Sequence, residues 1–162
     1  MAVLKIYKYP HPVLRVLGAP VETFDDALRQ VVSDMVETMY DCSGAVGLAA
    51  PQVGISQRIF VMDIAAKTTR DQLRIIINPE ITQQSKNKLV REGCLSFPDY
   101  LANVKRAQKI TLSYQNEWGE RQEHQAEYFE AVAIQHEIDH LDGVLMIDRI
   151  QSLKTDLIRR QS

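Results

Sequence analysis

The segment QHEIDH, residues 135–140, sets His136 and His140 four positions apart with Glu137 between them. On a helix, residues i and i+4 lie one above the other, so imidazoles at this spacing can share one tetrahedral metal ion. The glutamate adds a second capacity. A carboxylate beside the first histidine can take a proton from a water activated by the metal and later deliver one to a leaving group. The chemistry suggested is metal-assisted hydrolysis. A competing account makes both histidines ordinary helix residues and gives the neighbouring acids local ion pairs, so the rest of the ligand set must decide.

Downstream, the set does not complete itself. In the extended zinc-protease pattern a glycine and then a third histidine follow. Gly143 fits the first, but Met146 occupies the second and is a poor ligand for a hard catalytic ion. No glutamate occurs after Glu137, which leaves Asp142, Asp148 and Asp156 as weak carboxylate options. Upstream, REGCLSFP offers Cys94 between probable strands. A set of Cys94, His136 and His140 leaves the fourth tetrahedral position open for water, as catalytic sites do, and a metal would hold the thiol as thiolate. Two other uses of Cys94 stay open: a covalent nucleophile with a histidine base, which leaves the His-Glu-His spacing unexplained, and a plain buried cysteine. Cys42 would permit one disulfide with Cys94, which a chain of this size does not require.

The elements that must position these residues read as mixed α and β. TFDD resembles a capping box with Thr23 as N-cap, and Leu28, Val31, Val32, Met35, Val36 and Met39 follow at helical spacing, which predicts an amphipathic helix over 24–39. CSGAVGLAAPQVG, 42–54, favours close backbone approach over regular structure. RIFVMDI (58–64) and QLRIIINPE (72–80) read as antiparallel strands, and the polar 82–90 as a surface loop. Alternation at Ile110, Leu112 and Tyr114 marks a strand within 104–118, and Gly119 a turn. Phe129, Val132, Ala133, His136 and His140 fall near one face of a helix within 125–143. VLMIDRI, 144–150, reads as a short extended piece, followed by a short helix over LKTDLIRR, 153–160.

With 162 residues, the chain suits one domain, residues 1–162, with one core. A net charge of −2 argues against a polyanion-binding surface, so no DNA partner is expected. The prolines of MAVLKIYKYPHP interrupt any signal-peptide-like run, and no hydrophobic stretch approaches 18 residues. The expected location is the cytoplasm, with no membrane association.

Three stretches taken together resemble one family. GLAAPQ (47–52), EGCLS (92–96) and QHEIDH (135–140) match the three motifs of the peptide deformylases in order and with similar separations. The likeness extends to the YPHPVLR opening, the long first helix and HLDGVL. The resemblance implies an α+β fold, with antiparallel strands packed around a central helix bearing HEIDH and the 24–39 helix outside. It implies an enzyme that removes the formyl group from N-formylmethionyl nascent peptides. Fe2+ would be the native metal, with Zn2+, Ni2+ or Co2+ as substitutes, and transient ribosome contact would accompany the work. Cys94, His136 and His140 would be the ligands and Glu137 the acid/base. The Gln52 amide and the Leu95 backbone N–H would donate to the developing oxyanion. The peptide would lie as an added strand beside Gly44, Val46 and Gly47, its methionine side chain against Val46, Phe129, Val132 and Ala133.

The chain departs from the family pattern at four places. Ala45 and Leu101 stand where a glycine and a peptide-holding arginine are common, and Tyr128 and Glu130 where a glycine and an apolar residue are. These changes keep two further readings open: a related N-acyl peptide hydrolase with altered preference, and a non-catalytic, metal-stabilised peptide-binding protein.

Overall fold

The computed structural model describes residues 2–160. Its long first helix, α1, spans Asp26–Asp41 rather than 24–39. Asp25, not Thr23, is the N-cap, its Oδ1 accepting from the Leu28 N–H at 2.9 Å. A carboxylate there satisfies an orphan donor and faces the positive end of the helix dipole, two effects a threonine cannot combine.

The strands follow as β1 (Gly47–Ala49), β2 (Ile59–Asp63), β3 (Leu73–Cys94), β4 (Phe97–Gln115) and β5 (Arg121–Glu127). Next come helix α2 (Tyr128–Leu141), single-turn helices α3 (Met146–Arg149) and α4 (Leu153–Asp156), and β6 (Leu157–Arg159). The sheet order is β1-β2-β3-β4-β5, with β6 also on β4. Every pair is antiparallel.

β2 shows how the layers form. All five of its residues are buried, because the sheet is covered on both faces and alternate side chains serve different neighbours. Ile59 and Val61 join Leu28, Val32, Met35 and Met39 of α1 in one core cluster. Phe60 and Met62 face the other way, with Ala131, Ile134 and Leu141 of α2. Each such side chain contributes about 1.5–3 kcal/mol on burial. The α+β expectation, with a helix bearing HEIDH against antiparallel strands, therefore describes the architecture.

Four local expectations are corrected. Residues 82–90 are not a loop but part of β3, paired along their length with β4 from Gln83↔Thr111 to Val90↔Val104. Their side chains are almost all exposed, so no hydrophobic alternation marks a strand that its backbone ladder defines. Residues 125–127 end β5 rather than begin the metal-motif helix, since Ala126 pairs with Ile110 and is buried. Met146–Arg149 is a helical turn, not extended; the Asp148 carboxylate accepts from the Leu145 N–H at 2.8 Å and closes it. The tail helix stops at Asp156, and Leu157–Arg159 instead pair with Tyr100–Ala102 of β4.

Helix α2 starts on a strained residue. Tyr128 has φ 53°, in the left-handed region, which costs a residue with a Cβ about 1 kcal/mol or more. Its side chain is 67% exposed and offers little packing in return. Tyr128→Gly should therefore raise stability by about 0.5–1 kcal/mol even after glycine's extra freedom in the unfolded chain is counted. A rise in the urea midpoint at unchanged m-value would show it; a fall would mean that the ring's contacts outweigh the strain.

Candidate metal centre

Two chain segments deliver three side chains able to ligate a metal to one point. β3 and β4 are joined only by Leu95 and Ser96, so Cys94 sits at the tip of a tight turn, paired with Phe97. That turn lies over α2, which presents His136 and His140 from the same face, ring centroids 4.9 Å apart. The ligand atoms of Cys94, His136 and His140 all lie within 4.8 Å of one another. Cys94 Sγ and His140 Nε2 are 3.3 Å apart, near the roughly 3.6 Å expected between sulfur and nitrogen on one tetrahedral ion. One soft thiolate with two imidazoles suits a first-row divalent ion, so the residues fit the metal implied by the spacing.

Charges around the cluster are arranged to suit such an ion. Burial alone would push the Cys94 thiol up, but His140 and His136 beside it hold it well below its ordinary value, toward thiolate. Burial is likewise the main influence on Glu137 and raises its carboxyl, against the pull of the two histidines. Glu137 Oε2 is buried without a hydrogen-bond partner. The wall beside it is Gly47, where a Cβ would come within 3.1 Å of the Glu137 Cδ and 3.3 Å of Oε2. A side chain at 47 would press on this carboxylate.

His136 is aimed from behind. Its Nδ1 lies 2.8 Å from Glu92 Oε1, which leaves Nε2 facing the cluster, the carboxylate–histidine arrangement that orients metal ligands. Glu92 accepts two bonds from Arg106, at 2.5 and 3.0 Å. Arg106 donates to Asp139 at 2.7 Å, and Asp139 also accepts from Arg149. Burial pushes the Glu92 carboxyl up, but His136 and Arg106 overcome it and hold it at about 2.

Gln52 comes from the 3-10 turn Ala50–Val53 that follows β1. Its Oε1 accepts from the Ala49 N–H at 3.0 Å, which turns the NH2 end toward Ser96 Oγ at 3.2 Å and Cys94 Sγ at 3.6 Å. Ser96 Oγ donates in turn to the Tyr7 carbonyl, so its lone pairs are available to accept from Gln52. The amide therefore points its hydrogens at the cluster.

A cleft of about 510 Å³ opens over the cluster, lined by Gly44, Val46, Gly47, Gln52, Cys94, Leu95, Phe129, Ala133, His136 and Glu137 among others. Every residue expected at the site lines this cleft except His140, which lies beneath it at 1% exposure, and Val132. Val132 lies instead in an adjoining, largely apolar pocket of about 320 Å³ with Val90, Glu92, Tyr128, Phe129 and His136. Phe129, although at a core-like helical position, is 58% exposed because it caps both spaces. Ala45 also reaches the cleft, yet is 8% exposed and packs with the α1 core cluster. Glu130 is committed to His124 at 2.7 Å.

The alternative ligands and the disulfide are ruled out. Asp142 pairs with Arg58, Asp148 with Arg15, and Asp156 accepts from Ser152 N–H. Both cysteines are unpaired thiols. Glu92, Arg106, Asp139, Val90, Gly93, Lys67 and Arg160 are site residues that sequence reasoning missed. Of these, Glu92 and Gly93 stood inside EGCLS and Asp139 inside QHEIDH, motifs already singled out; the others stood in none.

Comparison with known proteins agrees with this geometry. Residues 3–156 match the family model for polypeptide deformylase. The peptide deformylase of Acidobacterium capsulatum is 48% identical over 161 residues, covering 99% of this chain and 94% of the relative. The crystal structure of peptide deformylase from Thermotoga maritima superposes with a TM-score of 0.87 at 44% identity, covering 94% of this chain and all of that one. The one from Legionella pneumophila gives 0.89 at 42%, covering 94% and 89%. The chain belongs to the polypeptide deformylase family.

Proposed function

We infer that the chain is a peptide deformylase, a metal-dependent hydrolase that removes the N-formyl group from the N-terminal methionine of newly synthesised peptides and releases formate. The observation that carries this reading is the convergence of Cys94, His136 and His140 beside the partnerless Glu137 carboxylate, within one cleft.

Cys94, His136 and His140 would hold the ion. When bound, the metal supplies Lewis acidity and makes water a competent nucleophile near neutral pH. Glu137 takes the proton from that water as it adds to the formyl carbon, then gives a proton to the methionine nitrogen as the C–N bond breaks. Formate and a free amine result. The Gln52 amide and the Leu95 N–H donate to the formyl oxygen as it gains charge. The long bonds from Gln52 to Ser96 and Cys94 aim that amide without satisfying it strongly. The peptide backbone runs beside Gly44–Gly47, where β1 is an edge strand of the sheet. Gly44, with φ 86°, turns the chain into that edge. The methionine side chain enters the apolar pocket at Phe129 and Val132, with Tyr128 at its rim and Val46 and Ala133 on the cleft side.

Fe2+ is the proposed native ion, with Zn2+, Ni2+ and Co2+ able to take the same donors. Newly made formylated peptides as the substrate class support work in the cytoplasm, on nascent chains and in transient contact with the ribosome. Among the described residues no helix is long and apolar enough to cross a membrane. Anaerobic, Fe2+-loaded protein should release formate steadily from a short N-formylmethionyl peptide. No release from folded protein with stoichiometric metal would overturn the reading.

A further inference from the structure

The cleft carries two cations, Lys67 and Arg160, that have no ion-pair partner among the described residues. β6 pairs with β4 in the register Leu101↔Ile158 and Tyr100↔Arg159, and the Arg160 N–H then donates to the Asp99 carbonyl at 2.7 Å. This pins the Arg160 backbone beside the cleft. Its guanidinium lies over Gly93, where a Cβ would come within 2.7 Å of Nη2 and 3.2 Å of Leu101 Cδ2. Gly93 thus leaves space for a charged group supplied from another strand. On the opposite wall Lys67 approaches Gly44, where a Cβ would lie 3.9 Å from its Cε. Among the described residues neither Lys67 nor Arg160 has a carboxylate within 4.0 Å.

A peptide whose reacting end lies at Cys94 must leave between these walls. Gly93 adjoins Cys94 in the chain, and an extended peptide advances ~3.3 Å per residue. The guanidinium is therefore within reach of the first few residues beyond the methionine. Among the described residues the only carboxylate lining this cleft, Glu137, is 3% exposed. The outer cleft thus presents net positive charge to its occupant, in a planar fork suited to a carboxylate.

We propose that Arg160, with Lys67 across the cleft, is a specificity-determining residue that favours formylated peptides bearing a carboxylate within the first few positions after the methionine. This rests on the deformylase reading and adds a substrate preference to it. Arg160 acts on binding, so the preference should appear in KM and leave kcat little changed between peptides. Its size is that of partly exposed ion pairs, about two- to fivefold in kcat/KM at low salt, shrinking as ionic strength rises.

The test compares formyl-Met-Ala-Glu, formyl-Met-Ala-Gln and formyl-Met-Ala-Lys peptides, each as C-terminal amide and as free acid, on Fe2+-loaded protein and its R160Q, R160K and R160E variants. The expected order is Glu over Gln over Lys, with the preference lost in R160Q, largely kept in R160K and reversed in R160E. The amide and free-acid arms separate a side-chain carboxylate from a terminal one; a gain from either that vanishes in R160Q supports the proposal. Equal rates for all peptides, or a preference untouched by R160Q, would overturn it while leaving the deformylase reading standing. No formate from any peptide would sink that reading instead. Calorimetric titration of the same peptides into metal-loaded E137Q protein still measures the carboxylate preference in that event, and absence of one there overturns the proposal.

Discussion

Exchanging Glu137 for glutamine is expected to lower formate release by on the order of 10²–10⁴-fold, with metal content and fold retained. The substitution keeps shape and volume beside Gly47, where the side chain is 3% exposed and a larger group would not fit. It removes the ability to accept a proton. Burial already raises the Glu137 carboxyl above its usual value, opposed by His136 and His140, so the group holds a proton more readily than a surface glutamate. A base that takes a proton from water and returns it to an amine within one turnover needs that intermediate affinity. Anaerobic formate release, iron content and circular dichroism measured together would check this. Turnover close to wild type in a metal-replete variant would remove Glu137 from the proton pathway.

The candidate metal set was legible in the sequence because its chemistry is local. The i, i+4 histidines with an intervening glutamate need only a helix, and Cys94 stood out because nothing downstream could complete the site. The pairing of charges behind His136 left no such trace, although Glu92 and Asp139 stand inside the EGCLS and QHEIDH motifs. Glu92, Arg106 and Asp139 lie on β3, β4 and α2 and meet only when the ribbon folds against the helix. Val90 was hidden for a related reason. It lies in a polar run whose strand is held by backbone pairing to β4 rather than by burial, so periodicity could reveal neither the strand nor its place in the apolar pocket. Arg160 was invisible because a short strand, where a helix was expected, decides where that side chain reaches. Phe129 shows the converse: helical spacing alone put it on the same face as the histidines, and α2 begins so close to the site that its first turn forms the pocket wall.

Replacing Arg106 by methionine should cost about 3–5 kcal/mol of stability at pH 7, the usual penalty for removing one partner from a buried charge pair. Arg106 is 3% exposed, and its loss leaves Glu92, 6% exposed, with His136 alone and Asp139, 5% exposed, with Arg149 alone. Metal affinity should fall with it, by about 10–100-fold, because Glu92 would no longer be held where it orients His136. The two effects have a common pH signature. The folded Glu92 carboxyl sits at about 2, below its ordinary 4.5, so its contribution is fully present above pH 4.5 and drains away as pH falls toward 2. That interval corresponds to on the order of 3 kcal/mol. Urea titrations of the wild type should therefore show stability declining across this window, and R106M should show a much smaller decline, since without the guanidinium burial keeps Glu92 protonated to higher pH. Adding Glu92→Gln and Asp139→Asn to R106M should recover part of the loss by removing buried charges that have lost one partner, while keeping an acceptor for His136 Nδ1. If R106M were as stable as the wild type at pH 7, or lost stability equally steeply in acid, the buried chain from His136 to Arg149 would be a bystander to the metal site. The orientation of His136 would then have to come from its packing on α2 alone.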